Sequence, residues 1–309
     1  MEKIGIYGSG SIGSSLATLA IGNGYETVVI GHSQTGIDRC NNAVLCNLDD
    51  LEAHGILKPN NKRAALDLLT VSHDFTRLTD RTFVFEAVAE DIKVKSQVYN
   101  NIENICHTST IIATCTSSMA ADDLSACLKN QHRFVIAHPF QPAHLQPLIE
   151  VSRCTSTSDE AVTRTVQLLE TLDRRIVVLK KDIPGFIGNR LAQAMFREAL
   201  YLIEQGIATA DDIDKTVEWI FGRRYTTIGM MEFYDFVGFP LECEIASNVY
   251  PTLCDAKKPQ NIVLQGLHNG NTGLSAGKGL HDWTQRDPGD FRKRRQAPLY
   301  TSIRWNLPE

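Results

Sequence analysis

The sequence predicts an α/β chain: a doubly wound, mostly parallel sheet followed by an all-α domain. Three observations carry this. Up to about residue 182, short β-rich runs alternate with helical ones. Within that stretch a glycine-rich turn joins the first strand to the first helix. After Pro184-Gly185 the strand-like runs stop and helical periodicity takes over.

Seven strands are expected: KIGIYG (3–8), TVVIG (27–31), TFVFEAV (82–88), TIIATCT (110–116), RFVIAH (133–138), LIEV (148–151) and RIVVLKK (175–181). Each is a short apolar run with the β-branched and aromatic residues that suit a pleated surface. Between the second and third lies an insert, 34 to about 69, whose two helical stretches flank Lys58-Pro59-Asn60-Asn61. That is the pattern of a helical hairpin projecting from the sheet. In the helical part, RLAQAMFREALYLIEQG sets Leu191, Met195, Ala199, Leu202 and Ile203 on one face and stops at Gly206. DDIDKTVEWIFG follows with acids in its first turn, where the helix dipole favours them. The expected domains are 1–183, carrying the sheet, and 184–309, helical.

A chain of 309 residues is long enough for two cores. With 43% apolar and 22% charged residues its composition is that of an ordinary globular protein. A formal net charge of −5 offers no basic surface for nucleic acid. The start, MEKIGIYG, has no signal-peptide layout and no apolar run approaches membrane-spanning length. A cytoplasmic protein with neither nucleic-acid nor membrane partners is therefore expected. Eight cysteines show no CxxC pair and no regular spacing, which signals neither a metal site nor a disulfide framework. They are expected as reduced, mostly buried thiols.

Gly8-Ser9-Gly10-Ser11-Ile12-Gly13 lies between a strand and a helix, and the next strand begins fourteen residues after Gly13. In that context GxGxxG is the dinucleotide fingerprint of a Rossmann-type sheet, because the glycines let the backbone approach a pyrophosphate at the helix N-terminus. A tight turn with no nucleotide is the plainer alternative. The second strand ends Gly31-His32-Ser33, without the acid that grips the ribose 2′-hydroxyl of NAD. A 2′-phosphate would meet no carboxylate there and would find His32 and Ser33, so the expected cofactor is NAD or NADP.

The stretch RFVIAHPFQPAHLQPLIEVSR (133–153) runs a strand into His138, breaks it with Pro139 and Pro142, and resumes with Glu150 in apolar surroundings. His138 and Glu150 are either an acid/base pair or the ends of a capped turn. Imidazole suits proton transfer near neutral pH. These motifs fall in one order with Glu86-Ala87-Val88-Ala89-Glu90 followed by Lys93 and Lys95, with Thr116-Ser117-Ser118, and with Lys181-Asp182-Ile183-Pro184-Gly185-Phe186-Ile187-Gly188-Asn189-Arg190. Together they resemble the 3-hydroxyacyl-CoA dehydrogenase family, a group that includes λ-crystallin, L-gulonate 3-dehydrogenase and carnitine dehydrogenase. The resemblance covers nearly the whole chain.

The resemblance implies roles. His138 would take the proton from the substrate's 3-hydroxyl as hydride leaves for the nicotinamide, and Glu150 would hold the imidazole and stabilise its charged form. Ser117 and Asn189 would hydrogen-bond the reacting oxygen, while Glu90 and Lys95 would line the cofactor cleft. A homodimer, with 184–309 as substrate-binding and dimerisation domain, is the family's usual assembly. Each residue also has a plainer reading: Ser117 and Ser118 suit a helix cap, Asn189 a first-turn polar position, and Lys93 and Lys95 a solvated helix face.

Some features depart from the common acyl-CoA pattern. Cys115 stands where many members carry asparagine, and His-Pro-Phe-Gln-Pro replaces His-Phe-Phe-Asn-Pro, as in the λ-crystallin and carnitine dehydrogenase branches. Gly222-Arg223-Arg224-Tyr225 offers an arginine fork suited to a free carboxylate, or a brace for the subunit interface or for the domain's own acids. Met231 to Gly238 and Ala276 to Trp283, by contrast, resemble C-terminal motifs of acyl-CoA members. Lys58, Lys62 and Arg63 suit CoA phosphates or plain solvation, and FRKRRQ (291–296) a solvated terminal helix or an interface. The expected substrate is a 3-hydroxyacyl-CoA such as 3-hydroxybutyryl-CoA. A free 3-hydroxy acid such as L-gulonate or carnitine is the alternative. A nucleotide-binding protein without turnover is a reading of another class, and the joint presence of His138, Glu150, Ser117 and Asn189 speaks against it.

Overall fold

The structure, a computed structural model, describes residues 2–58 and 61–304, without the side chains of 302–304. The described chain forms two compact units, one running to Ile187 and resuming at Arg294, the other Gly188–Lys293. In the first unit the elements are β1 (Ile4–Tyr7), α1 (Ser11–Gly22), β2 (Thr27–Ile30), α2 (Gln34–Ala53), α3 (Asn61–Asp67), β3 (Leu69–Ser72), β4 (Phe83–Glu86), α4 (Ile92–Ile105), β5 (Ile111–Thr114), α5 (Ala121–Ser125), β6 (Phe134–Pro139), β7 (Leu148–Arg153), α6 (Asp159–Thr171) and β8 (Arg175–Val178).

The eight strands make one sheet in the order β3-β2-β1-β4-β5-β6-β7-β8. Every neighbouring pair is parallel except β6 and β7. Helices cover both faces, and alternate residues of one strand enter opposite cores: Phe83 and Phe85 one, Val84 the other; Val135 and Ala137 one, Phe134 and Ile136 the other. Burial on both faces is why these strands read as unbroken apolar runs.

β3 is not among the strands expected from the sequence. Its four residues, LTVS, are all half-buried at the sheet edge and follow helix α3 after one residue, so the run is too short and too mixed to stand out. The insert forms α2 and α3, and α2 turns Cys40, Val44 and Leu48 into the core that it shares with Leu16 and Leu19 of α1. Pro59 and Asn60 of the expected connection lie outside the described residues. All eight cysteines are free, but only Cys40, Cys106 and Cys154 are buried, fewer than expected, because the others sit on helix faces, strand ends and loops that stay partly open.

In the second unit the helices are α7 (Gly188–Glu204), α8 (Ala210–Thr216), α9 (Met230–Val237), α10 (Phe239–Val249), α11 (Asn261–His268) and the start of α12 (Pro288–Arg304). α7 ends before Gly206, whose φ of +68 suits a residue without Cβ. Thr209 and Asp212 form a capping box at the start of α8. Leu200 is the one buried residue among the described residues of this unit. Of the apolar face expected on α7, Ala199, Leu202 and Ile203 are partly covered while Leu191 and Met195 are exposed.

The expected division put all of 184–309 in the helical domain. The stretch from Arg294 groups with the first unit instead, because the Tyr300 ring stacks on His54 at 3.7 Å and Arg295 donates to the Gln141 carbonyl at 3.1 Å.

Candidate active site

The three fingerprint glycines meet three different surroundings at the end of β1. Gly8 has φ +126, and a Cβ there would lie 2.4 Å from the Ala87 carbonyl oxygen. A Cβ on Gly13 would lie 1.8 Å from the Gly8 oxygen, so this glycine sets how closely α1 meets the strand. A Cβ on Gly10 would meet nothing within 4 Å, which leaves the backbone open to a ligand. No side chain caps the N-terminus of α1, so its first N–H groups face the same space. Ile12 packs partly against the core, and Ser11 accepts a hydrogen bond from Gln141 Nε2 at 3.0 Å. A glycine cradle at an uncapped helix start is the donor set that a pyrophosphate requires, so these residues fit a dinucleotide.

At the end of β2, His32 is exposed and no carboxylate follows Gly31. The Ser33 hydroxyl accepts from Gly36 N and caps α2, so its first duty is to that helix.

On the other side of β1, Glu86 ends β4 as a buried hub that sequence reasoning passed over. It accepts from Lys95 Nζ at 2.9 and 3.0 Å, Tyr99 Oη at 2.9 Å, Thr114 Oγ1 at 2.7 Å and Val88 N at 2.9 Å. A charged residue inside the apolar run FVFEAV was the available signal. Lys95, expected in the cofactor cleft, is instead 1% exposed, because it lies with Val98, Tyr99 and Ile102 on the inward face of α4. Lys93 stays on the solvated face. Glu90 comes within 3.4 Å of Lys95 and accepts from Thr116 Oγ1 at 2.9 Å, Ser117 N at 2.7 Å and Ser117 Oγ at 3.3 Å. Burial alone would push its carboxyl up, but the Ser117 N–H, the Lys95 charge and the Thr116 hydroxyl together hold it below the usual range.

His138 and Glu150 are register partners on β6 and β7. Their side chains meet with Nδ1 and Oε2 3.0 Å apart, and both residues are buried. The other oxygen of Glu150 accepts from Ile187 N at 2.9 Å. Phe140 and Phe186 rings flank the imidazole at 4.7 and 5.0 Å between centroids. With Nδ1 directed at the carboxylate, Nε2 is the nitrogen left to exchange a proton, and among the described residues nothing hydrogen-bonds it. Asp182 ties the neighbouring segments, accepting from Ser152 Oγ at 2.7 Å and from Ala121 N at 2.9 Å.

Two family models match successive parts of the chain. The family model described as "3-hydroxyacyl-CoA dehydrogenase, NAD binding domain" matches residues 3–183, and its C-terminal domain matches 185–283. The chain belongs to the 3-hydroxyacyl-CoA dehydrogenase family. Its members are NAD-dependent dehydrogenases acting on hydroxyl groups, so the chain is an oxidoreductase using a nicotinamide cofactor. It is 31% identical over 239 residues to an L-carnitine dehydrogenase of Oceanobacillus iheyensis, covering 77% of this chain and 76% of that one. To a 3-hydroxybutyryl-CoA dehydrogenase of Mycobacterium tuberculosis it is 28% identical, covering 92% and 99%. A 5-formyl-3-hydroxy-2-methylpyridine 4-carboxylate 5-dehydrogenase of Mesorhizobium japonicum is 28% identical over 97% of this chain and 96% of its own. The crystal structure of a 5-dehydrogenase for that pyridine acid, described as an NAD+ dependent dismutase, superposes with a TM-score of 0.91 over 98% of both chains at 27% identity. The (S)-3-hydroxybutyryl-CoA dehydrogenase of Ralstonia eutropha gives 0.77 over 92% and 99% at 25% identity.

In the helical unit, Asn189 lies in the first turn of α7. Arg223 and Arg224 follow a π-type turn over Val217–Gly222, and their guanidinium carbons lie 4.2 Å over Trp219 and 4.0 Å over Phe233. Neither arginine has a carboxylate partner among the described residues. The stretch 276–283 makes a turn in which His281 Nε2 meets Asp214 at 2.8 Å, while Arg286 holds Asp211 at 2.6 Å. Lys62 pairs with Asp49 and Arg63 with Asp67, so both have acidic neighbours of their own. No helix among the described residues is long and apolar enough to cross a membrane.

Proposed function

We propose that this dehydrogenase acts on a small hydroxy compound carrying a free carboxylate, with His138 as its acid/base. The observation that carries the reading is the His138–Glu150 pair, whose carboxylate is held at both oxygens. Glu150 fixes the ring so that Nε2 faces the substrate hydroxyl and takes its proton as the C–H bond at the same carbon breaks. The bound nicotinamide supplies the hydride acceptor, or the donor in reverse. Gly8, Gly10, Ser11, Ile12 and Gly13 bind its pyrophosphate, and Glu90 orders the Ser117 turn beside it. Ser117 and Asn189 orient the reacting oxygen. Lys95 acts through Glu90 rather than on the cofactor.

Arg223 and Arg224 support the free acid: each guanidinium is stacked on an aromatic ring and has no acid partner among the described residues, as a carboxylate-binding fork requires. Relatives that act on carnitine and on a pyridine carboxylate agree with it. The acyl-CoA substrate is the second reading, favoured by the M. tuberculosis relative, which aligns over 99% of its length. With no carboxylate after Gly31, NADP is expected to serve beside NAD. Two copies are expected to pair through the helical unit.

Nicotinamide absorbance should be followed with carnitine, 3-hydroxybutyrate, a hydroxymethylpyridine carboxylate and 3-hydroxybutyryl-CoA, each with NAD and NADP. Turnover on a free acid that falls about 10²–10⁴-fold in His138→Gln is the expected result. Turnover on the CoA ester alone would transfer the assignment to the second reading. An undiminished His138→Gln would remove the acid/base role itself.

A further inference from the structure

The first unit contains a pocket of about 240 Å³ at the C-terminal end of α1, bounded by the segment after α2 and the turn before β8. Leu19, Leu51, Ile56 and Leu57 give it apolar walls, and His144 and Arg174 bring polar groups into them. Neither of these two belongs to the site described above.

Arg174 is 6% exposed. Its Nε donates to the Leu172 carbonyl at 3.0 Å, and Nη1 donates to the carbonyls of Ala143 and Gln146 at 3.3 and 3.1 Å. Nη2 has no acceptor among the described residues, and no carboxylate there is within ion-pair distance of the guanidinium. A guanidinium taken out of water, hydrogen-bonded only to carbonyls and helped by the Asp173 charge without an ion pair, is an arrangement that an incoming anion improves.

His144 supplies a second donor. Its Nδ1 is 2.6 Å from Ser15 Oγ, and that oxygen also accepts His144's own backbone N–H at 3.0 Å. In the tautomer where the Ser15 hydroxyl gives its hydrogen to Nδ1, the ring proton sits on Nε2. Burial, with the Arg174 charge added, lowers the imidazole to about 4, so the ring is neutral near pH 7 and offers that single N–H.

We propose that this pocket binds a small monocarboxylate with an apolar body, its carboxylate on Arg174 Nη2 and His144 Nε2 and its chain among Leu19, Leu51, Ile56 and Leu57. An apolar cavity of roughly 150 Å³ accommodates benzene, so the space here takes a body of about six to eight carbons. Asp173 also lines the pocket and disfavours a second negative charge. Because Arg174 and His144 both hold the loop between β6 and β7, the ligand would brace the segment that joins His138 to Glu150.

The test is a ligand-observed NMR titration of the full chain with hexanoate, hexan-1-ol and adipate. A Cβ on Gly22 meets nothing within 4 Å and Gly22 lines the pocket, so Gly22→Leu fills the space with no clash at its base. Ile56→Trp is a second filler. An Arg223→Ala/Arg224→Ala double variant reports hexanoate held at the substrate arginines instead. Hexanoate is expected to bind wild type with Kd of about 1 mM or tighter, and about tenfold more tightly than the alcohol or the dianion. It should weaken about tenfold in both filled variants and stay unchanged in the arginine variant. Equal binding of hexan-1-ol, unchanged binding in both filled variants, or loss in the arginine variant would overturn the proposal.

Discussion

Gly10 and Gly13 are three residues apart, yet a methyl group at each would meet opposite fates. At Gly13 it would overlap the Gly8 carbonyl, whereas at Gly10 it would touch no protein atom. Gly10→Ala should therefore keep the melting temperature of wild type and lower dinucleotide affinity about tenfold or more, while Gly13→Ala should fail to fold. Melting curves beside cofactor titration separate the two. His144 makes a second prediction at this scale. Its ordinary value of 6.5 falls to about 4 in the folded chain. Between those pH values the unfolded chain takes up a proton that the folded chain refuses, so this residue's contribution is intact above about 6.5 and is lost as pH falls toward 4. The loss should be about 3 kcal/mol. Denaturant midpoints across that window should fall less steeply in His144→Asn, whose side chain can still meet Ser15, and parallel curves would refute the assignment. Sequence spacing made the neighbourhood of His138 and Glu150 legible, because the two lie on successive strands. The bond from Ile187 N–H to Glu150 spans 37 residues, and no spacing rule could have shown it.

Secondary elements show where inference from pattern stops. The central strands were legible because both faces are buried and the residues are apolar throughout. β3 was not, since four half-buried residues carry almost no period. α4 was legible as a helix, but its phase had to be seen: a lysine among polar neighbours looks solvated, and Lys95 points inward because Val98, Tyr99 and Ile102 share its face. Its ammonium and the Glu86 carboxylate are sealed from water together with the Tyr99 hydroxyl, whose own proton burial and Glu86 hold more tightly than usual. Removing one partner of such a pair strands the other charge. Lys95→Met should cost about 3–5 kcal/mol in urea unfolding, and a Glu86→Gln/Lys95→Met double variant should recover much of it. A single variant no less stable than wild type would mean that Tyr99, Thr114 and the Val88 N–H already satisfy the carboxylate.

At the scale of the whole molecule, the two units differ in how they spend their apolar residues. The sheet-bearing unit closes two cores, one on each face. The helical unit buries Leu200 alone among its described residues and leaves Leu191, Met195, Phe196, Trp219, Phe236 and Phe239 exposed. Its helices were legible from period and end signals, but the sequence pattern set Leu191 and Met195 on one apolar face without saying what covers it. Exposed apolar surface of this extent on a folded unit marks an interface. Burying it between two copies would favour association at roughly 25 cal/mol per Å² before the cost of lost freedom is subtracted. Sedimentation of wild type across the micromolar range should therefore give a dimer. Leu191→Glu/Met195→Glu places two charges on the open half of the α7 face, where the two side chains are 51% and 46% exposed. That variant should sediment as a monomer that still binds dinucleotide. Wild type that stays monomeric would instead leave the exposed face without a self-partner, and a variant that loses cofactor binding along with pairing would mean that the two helical-face residues support the fold itself.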